Sequence, residues 1–290
     1  MTLLELLQDG AKHLEAAGIA EAELDARYLL FEAFHIDFTR FLTDRMRQMP
    51  ETEENLQNQK LYQSMIEKRS SRIPLQYITG SQEFMGLGFY VDENVLIPRQ
   101  DTETLVELVM AEHPKEKAAQ ESLLDMCTGS GCIAISLKKL GGFGQVTAVD
   151  ISQGALNVAK KNAENLGAEI RFVESNLFQN LTQEEAENRF DVIVSNPPYI
   201  PTEVVKGLEP EVKDHEPVLA LDGTEDGLLF YRELAKNCGH YLKPQGTVYF
   251  EIGYDQGQAV SELLAEAGYE EIEVVKDMPG LDRVVKARLK

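Results

Sequence analysis

Apolar and polar residues follow two different periods along this chain, and the change between them divides it. Over residues 1–75 the apolar positions recur every three or four residues, which is typical of amphipathic helices. The pattern predicts one helix capped by Thr2 and Glu5, and further helices over residues 22–34, 39–46 and 51–68. Later in the chain, short apolar runs alternate with helical segments, which is typical of a parallel sheet covered by helices. The sequence therefore predicts a small helical bundle followed by an α/β domain.

A short segment with strand-like alternation separates these two parts. Residues 82–91 alternate around a Gly-Leu-Gly turn, which predicts a two-stranded hairpin. We therefore divide the chain into a helical domain at 1–75, a β-hairpin linker at 76–97 and an α/β domain at 98–290. The helical domain carries no chemical motif, so it is either a structural cap or a docking module for a substrate protein.

The α/β domain follows a regular order of strands and helices. Strands are predicted at 122–126, 145–150, 170–174, 190–195 and 246–252, with helices at 131–140, 152–166, 228–242 and 258–267. Two closing strands at 269–275 and 283–287 have no helix between them, which indicates an antiparallel hairpin. The expected fold is a Rossmann-like, mostly parallel sheet whose final strand is antiparallel.

Composition narrows the choice of ligand. The net charge is −21, so a general basic footprint for nucleic acid is absent, and a small molecule or a protein partner is favoured. The cysteines form no C-x-x-C pair and the histidines lack the spacing of metal ligands, so we expect no disulfide framework and no metal. Without a signal peptide or a membrane-length apolar run, a reducing cytoplasmic location is expected.

A glycine-rich turn follows the first strand of the α/β domain, with the sequence Asp-Met-Cys-Thr-Gly-Ser-Gly-Cys over residues 125–132. Its glycines allow the backbone to approach a ligand closely and to present N–H groups. Asp150 ends the next strand, where its carboxylate can accept hydrogen bonds from ribose hydroxyls. These features predict a nucleoside-containing ligand, and at this point a dinucleotide dehydrogenase fits as well as a methyltransferase.

A polar corner follows the strand at 190–195, with the sequence Asn196, Pro197, Pro198, Tyr199. Proline has a fixed φ and no N–H group, so two prolines end the strand and stiffen the turn. One amide, a restricted backbone and one aromatic ring suit a small planar group such as an amide or an amino-base. A simple strand-terminating turn is the other explanation. The polar turn with Arg99, Asp101 and Glu103 is either a solvated helix start or a site for a charged ligand.

Together, the glycine-rich turn, Asp150 and the Asn-Pro-Pro-Tyr corner resemble the class I S-adenosylmethionine-dependent methyltransferases. Asn-Pro-Pro-Tyr alone is shared with adenine-amino methyltransferases, so further motifs are needed. The stretches at 74–80, 97–103, 209–212, 215–217 and 220–223 supply them. With these, the whole chain resembles the peptide chain release factor glutamine methyltransferases of the HemK/PrmC type.

The resemblance implies methyl transfer from S-adenosylmethionine to the side-chain amide nitrogen of the glutamine in a release factor's Gly-Gly-Gln motif. It implies that the methionine part of the donor is surrounded by Cys127, Thr128, Gly129, Ser130 and Gly131. Asp150 would bind the ribose, Asn176 and Leu177 would flank the adenine, and Asn196 would also contact the donor.

For the substrate amide, the resemblance implies that Asn196 and the Pro197 carbonyl accept its N–H groups, with Pro198 and Tyr199 completing the corner and Tyr199 packing against the amide plane. Two residues depart from the family pattern: Asn176 stands where an Asp is frequent, and Gln100 where a proline is commoner. The alternatives are an adenine-amino or a ribosomal-protein glutamine methyltransferase, and a non-enzymatic nucleoside-binding interaction module.

Overall fold

The computed structural model describes residues 1–182 and 189–290, and the chain divides into two compact units. One unit, the helical unit, comprises Met1–Gly80 and Glu209–His215. The other, the sheet unit, comprises Ser81–Leu208 and Glu216–Lys290. The three-part division predicted at residues 75 and 97, and the docking role of the first part, stay predictions.

The helical unit is built on amphipathic helices: α1 (Leu3–Ala16), α2 (Ala22–Phe34), α3 (Phe38–Asp44), α4 (Glu53–Ser70) and α5 (Leu75–Thr79). The predicted capping box of Thr2 and Glu5 is present at the start of α1. The side chains of Asp37 and Thr52 accept backbone N–H groups at the starts of α3 and α4. Helix α5 was not expected, because the proline at its N-cap interrupts the apolar period that reveals the other helices.

The sheet unit contains a two-stranded hairpin and a large sheet. The hairpin is β1 (Ser81–Phe84) with β2 (Leu87–Tyr90), and the sheet strands are β3 (Ser122–Met126), β4 (Gln145–Asp150), β5 (Arg171–Glu174), β6 (Phe190–Ser195), β7 (Leu242–Glu251), β8 (Tyr269–Lys276) and β9 (Asp282–Leu289). The remaining α-helices of the described chain are α6 (Glu103–Glu112), α7 (Lys115–Ala118), α8 (Cys132–Ser136), α9 (Gln153–Leu166), α10 (Thr202–Val205), α11 (Pro210–Lys213), α12 (Val218–Leu221), α13 (Leu229–Tyr241) and α14 (Gly257–Glu266). A 3₁₀ turn (Gln100–Thr102) precedes α6, and a π-helical turn (Leu137–Gly141) extends α8.

The large sheet has the strand order β5-β4-β3-β6-β7-β9-β8. Strands β3 to β7 pair in parallel, and β9 runs antiparallel to both of its neighbours. The predicted sheet, including its antiparallel final strand, is confirmed. Strand β7 begins at Leu242 rather than at residue 246, because Leu242 pairs with Phe190 before a shift in register.

Both faces of the sheet are buried, and alternate residues of each central strand feed separate cores. Leu123, Val192 and Tyr249 belong to one hydrophobic cluster. Their chain neighbours Leu124, Ile193 and Phe250 belong to the other. The carboxyl ends of β3 and β6 therefore lie side by side where the strand order reverses, the place where open α/β sheets bind their ligands.

The segment Glu209–His215 joins the helical unit through a buried ion network. Arg69 on α4 donates to Asp25 on α2 (Nε to Oδ2, 2.7 Å) and to Glu211 on α11 (Nη2 to Oε1, 3.0 Å). Arg72 also pairs with Glu211 at 2.8 Å. Because a buried charge is costly without its partners, this network makes α11 an integral part of the helical unit. Sequence periodicity gives no signal for such a long-range association.

Candidate active site

A cavity of the sheet unit lies at the carboxyl ends of β3, β4, β5 and β6. Its lining includes residues from all four strand ends, among them Cys127, Asp150, Asn176, Leu177 and Asn196. The segment before α6 and the segment around α12 contribute further walls. The structure thus brings together most of the site residues predicted from the sequence.

The glycine-rich turn is held in place by its own backbone. Cys127, Gly129 and Gly131 all have positive φ values, of 63°, 54° and 81°. The Thr128 N–H group donates to the carbonyl of Val149 on the neighbouring strand at 2.9 Å. A positive φ is unfavourable for a residue with a Cβ atom, so Cys127 is a strained position beside the cavity.

Gly131 has a packing role at the start of α8. A Cβ atom on this residue would lie 3.1 Å from Ile135 and 3.2 Å from Ala159 on α9. Cys127, Thr128, Gly129 and Ser130 line the cavity, whereas Gly131 lies outside its lining. Glycine here lets two helices approach closely behind the loop, and a direct contact with a ligand stays a prediction.

Asp125, at the end of the preceding strand, stabilises the same glycine-rich turn through hydrogen bonds. Its Oδ2 atom accepts the Thr128 hydroxyl at 2.6 Å and the Ala134 N–H group at 3.2 Å. Its Oδ1 atom has no hydrogen-bond partner in the part of the chain that the structure describes. Complete burial raises the pKa of this carboxyl to about 7, against the lowering effect of the two hydrogen bonds.

Asp150 is fixed by backbone groups on either side. Its Oδ2 atom accepts the Gly129 N–H group and its Oδ1 atom accepts the Ser152 N–H group, both at 2.9 Å. Burial raises the pKa of Asp150, while these backbone hydrogen bonds lower it. A carboxylate held in this way has lone pairs left for hydroxyl groups in the cavity.

The corner after β6 places Asn196 and Pro198 on the cavity wall. The Asn196 Nδ2 atom donates to the hydroxyl of Thr102 at 3.3 Å, which orients the two ends of the amide. Pro197 and Pro198 are buried. The corner is therefore a rigid support for one amide group.

Tyr199 lies outside the lining of the cavity. Its ring packs against the core on one face of the sheet, and its carbonyl accepts the Gln256 side chain at 3.0 Å. Burial raises the pKa of Tyr199 to about 12. Phe230 is an aromatic residue that does line the cavity, and no sequence motif pointed to it. The predicted contact of Tyr199 with a substrate plane stays a prediction.

The polar turn at residues 99–103 pairs with other parts of the protein. The Arg99 guanidinium bonds to Glu216, whose carboxylate also accepts the Ile97 N–H group at 3.2 Å. Asp101 pairs with Arg283 at 3.1 Å. The Glu216 side chain is only 2% exposed, and the next residue, Pro217, lines the cavity. The motifs 97–103 and 215–217 were noticed in the sequence, but their pairing across the fold was not predicted.

Within residues 1–182 and 189–290, no three His, Cys, Asp or Glu side chains are grouped so as to hold a metal ion. No helix in the same ranges is long and apolar enough to cross a bilayer.

This sheet order, with a glycine-rich turn and an acidic residue at adjacent strand ends, defines a class I S-adenosylmethionine-dependent methyltransferase fold. A solved methyltransferase structure from Pyrococcus furiosus shares the fold, with a TM-score of 0.53 and 18% identity over 76% of this chain and 98% of that one. Residues 100–207 match the methyltransferase small domain family.

More similar relatives identify the family within this class. Residues 5–80 match the PrmC N-terminal domain. The release factor glutamine methyltransferase of Geobacter sulfurreducens is 38% identical over 99% of this chain and 97% of its own. That of Caulobacter vibrioides is 40% identical over 98% of this chain and 96% of its own. The chain belongs to the release factor glutamine methyltransferase family, and the family predicted from the sequence is confirmed.

Proposed function

We propose that this protein transfers a methyl group from S-adenosylmethionine to the side-chain amide nitrogen of the glutamine in the Gly-Gly-Gln motif of peptide chain release factors. Asn196 carries the proposal: it lines the same cavity as the glycine-rich turn, and its Nδ2 atom is bonded to Thr102, which leaves the amide oxygen as the acceptor end of the side chain. An oxygen acceptor at that position suits an amide N–H group.

The donor occupies the wall formed by the glycine-rich turn and Asp150. Cys127, Thr128, Gly129 and Ser130 surround its methionine part, and the Asp150 carboxylate accepts the ribose hydroxyls. Asn176 and Leu177, which line the cavity after β5, flank the adenine. The dehydrogenase alternative is not supported, because the chain belongs to a methyltransferase family.

The acceptor is a weak nucleophile, because the lone pair of an amide nitrogen is delocalised into its carbonyl. As the N–C bond forms and the S–C bond breaks, positive charge develops on nitrogen and the sulfonium becomes a neutral thioether. The Asn196 oxygen and the Pro197 carbonyl accept the two N–H groups more strongly as that charge develops, which lowers the barrier. The extra proton leaves afterwards, so no strong base is needed before transfer.

Alignment of the substrate amide with the methyl group makes a second contribution to the rate enhancement. Holding the amide in line with the methyl group contributes up to ~7–11 kcal/mol in the best intramolecular systems. Pro197 and Pro198 are buried and conformationally restricted, so the corner loses little freedom when substrate binds.

Incorporation of labelled methyl from S-adenosylmethionine tests the proposal against its alternatives. The wild-type protein is incubated separately with a purified release factor, ribosomal proteins and RNA. We expect label in the release factor only. Label in RNA would favour the adenine-amino alternative, which the net charge of −21 disfavours, and label in a ribosomal protein would favour another glutamine substrate.

We also propose that the helical unit docks the body of the release factor. Its support is a set of large apolar side chains that are about half exposed or more, at Tyr28, Phe38, Leu42 and Met46. The double variant Phe38→Ala with Leu42→Ala is expected to raise KM for the intact release factor but not for a short Gly-Gly-Gln peptide. Leu56→Ala with Leu61→Ala, exposed residues of α4, is the matched control. Equal effects on protein and peptide would contradict docking.

A further inference from the structure

A buried acid lies at the end of β7, beside the corner that holds Asn196. Phe250 of β7 pairs with Ser195 of β6. The next residue of each chain segment is Glu251 and Asn196, so these two residues are neighbours across the strand ends. Glu251 is almost fully buried, with 1% of the residue exposed. Its backbone carbonyl accepts the Tyr231 hydroxyl at 2.7 Å. The backbone at this position is therefore held firmly.

This carboxyl is poorly compensated for a buried group. Its Oε2 atom finds no hydrogen-bond partner among the residues that the structure describes. A buried acid without full pairing is costly, and such a cost in a native protein calls for a functional explanation.

Its neighbours link Glu251 to the substrate corner. Burial raises the pKa of Glu251 to about 7, while interactions with the Thr102 side chain, the Arg283 charge and the Asn196 side chain lower it. Thr102 is itself 2% exposed and accepts the Asn196 Nδ2 group. Because a carboxylate only accepts hydrogen bonds, it attracts the nitrogen end of the Asn196 amide and repels the oxygen end.

We propose that Glu251 is a positioning residue for methyl transfer: its carboxylate and the Thr102 hydroxyl hold the Nδ2 end of Asn196, and so present Oδ1 to the substrate amide. This inference rests on the proposed function. Rotation of the Asn196 amide would otherwise exchange an acceptor for a donor at the substrate, and a donor repels the N–H groups that must be bound.

The same arrangement makes positioning depend on the ionisation of Glu251. The ionisable groups facing it are Arg283, which favours the carboxylate, and Asp101, Tyr199, Tyr231 and Cys132. The carboxylate accepts from Asn196, whereas the protonated acid becomes a donor itself and competes for the same position. Methyl transfer is therefore expected to increase as the pH rises through about 7.

Glu251→Gln is the decisive variant, measured by single-turnover methyl transfer to a Gly-Gly-Gln peptide between about pH 6 and pH 9. A neutral acceptor holds Asn196 less strongly, so we expect a loss of roughly ten-fold in rate at high pH. The rate step near neutral pH should disappear, and S-adenosylmethionine affinity, measured by calorimetry, should be unchanged. Glu121→Gln, the same change in a largely buried acid that pairs with His113, should leave rate and pH profile as in the wild type.

A Glu251→Gln variant with the wild-type rate, or with a lower rate but an unchanged pH profile, would overturn the inference. If that variant does not fold, Thr102→Val decides, because it removes the bridging hydroxyl and leaves Glu251 in place. It should lower the rate and retain donor affinity, and a wild-type rate would count against the inference. A wild-type protein that methylates no glutamine peptide would instead overturn the proposed function.

Discussion

The two halves of the site are built in different ways. In the donor half, residues 127–131 and Asp150 are held by backbone hydrogen bonds within and between adjacent strand ends. In the acceptor half, Asn196 donates to the side chain of Thr102, from the segment before α6, and we propose that Glu251 at the end of β7 holds it as well. A site built from local backbone groups suits a ligand that many enzymes share. A site built from side chains of distant segments can be altered by substitution to fit one particular acceptor.

Asn196→Ala should have the largest effect, because it removes the acceptor half and leaves the donor half intact. We expect the single-turnover rate to fall by roughly 10²–10³-fold, as for loss of one aligned hydrogen-bonding group in other active sites. The affinity for S-adenosylmethionine, measured by calorimetry, should remain close to that of the wild type. Equal losses in affinity and turnover would mean that the two halves are not separable.

Asp150→Asn is the complementary change in the donor half. Loss of the charge weakens hydrogen bonds to the ribose, and roughly ten-fold to a hundred-fold weaker donor binding is expected from the strength of such bonds. At saturating donor the rate should be largely retained, because the Asn196 corner is untouched. A variant with normal donor affinity and a slow chemical step would reverse the assignment of these residues.

Glu251→Gln should separate stability from activity. The pKa of this acid is raised from 4.5 to about 7, so the folded state binds its proton more tightly than the unfolded state does. Stability contributed by the protonated group is therefore lost as the pH rises from about 4.5 through about 7. Without this titration, the variant should be more stable than the wild type at pH 8 by about 2–3 kcal/mol and similar to it at pH 5.

Thermal and urea unfolding at the two pH values measure this difference. A variant that is more stable and yet slower would identify Glu251 as a residue kept for function at the expense of stability. A variant that is less stable at pH 8 would show that the carboxylate is adequately compensated in the folded protein.

Glu216→Gln should have the smallest effect. It weakens the ion pair with Arg99 that connects the segment before α6 to the segment around α12, both of which line the cavity. We expect KM values to rise by a few-fold, equivalent to about 1 kcal/mol, with little change in the rate at saturation. Steady-state kinetics with both substrates measure it, and a large fall in kcat alone would place Glu216 in the chemical step.

The same contrast explains what the sequence could predict. The donor half was visible because its parts are local: an apolar strand, a glycine-rich turn and an acid at the next strand end. Of the acceptor half, the Asn-Pro-Pro-Tyr corner and the stretch at 97–103, which contains Thr102, are visible as motifs, but the contact between them is not. Glu251 ends an apolar strand like many other acids, and its importance appears only when β7 lies beside β6.

Other features escaped prediction for the same reason. The Arg99 and Glu216 motifs are 117 residues apart in the sequence, and nothing in either motif specifies the other as its partner. The association of Glu209–His215 with the helical unit depends on Arg69 and Arg72, which have no periodic signal. Motifs point to Tyr199 and Gly131 as site residues, but the packing of both depends on residues that the fold brings together.

In the proposed reaction, the Asn196 corner presents a glutamine amide for methylation. Mass-spectrometric mapping of a release factor after incubation with the wild-type protein and S-adenosylmethionine tests it most directly, with Asn196→Ala as the control. With the wild type we expect one methyl group on the side-chain nitrogen of the Gly-Gly-Gln glutamine, and with the variant almost none. A methyl group on another residue, or equal modification by both proteins, would contradict it.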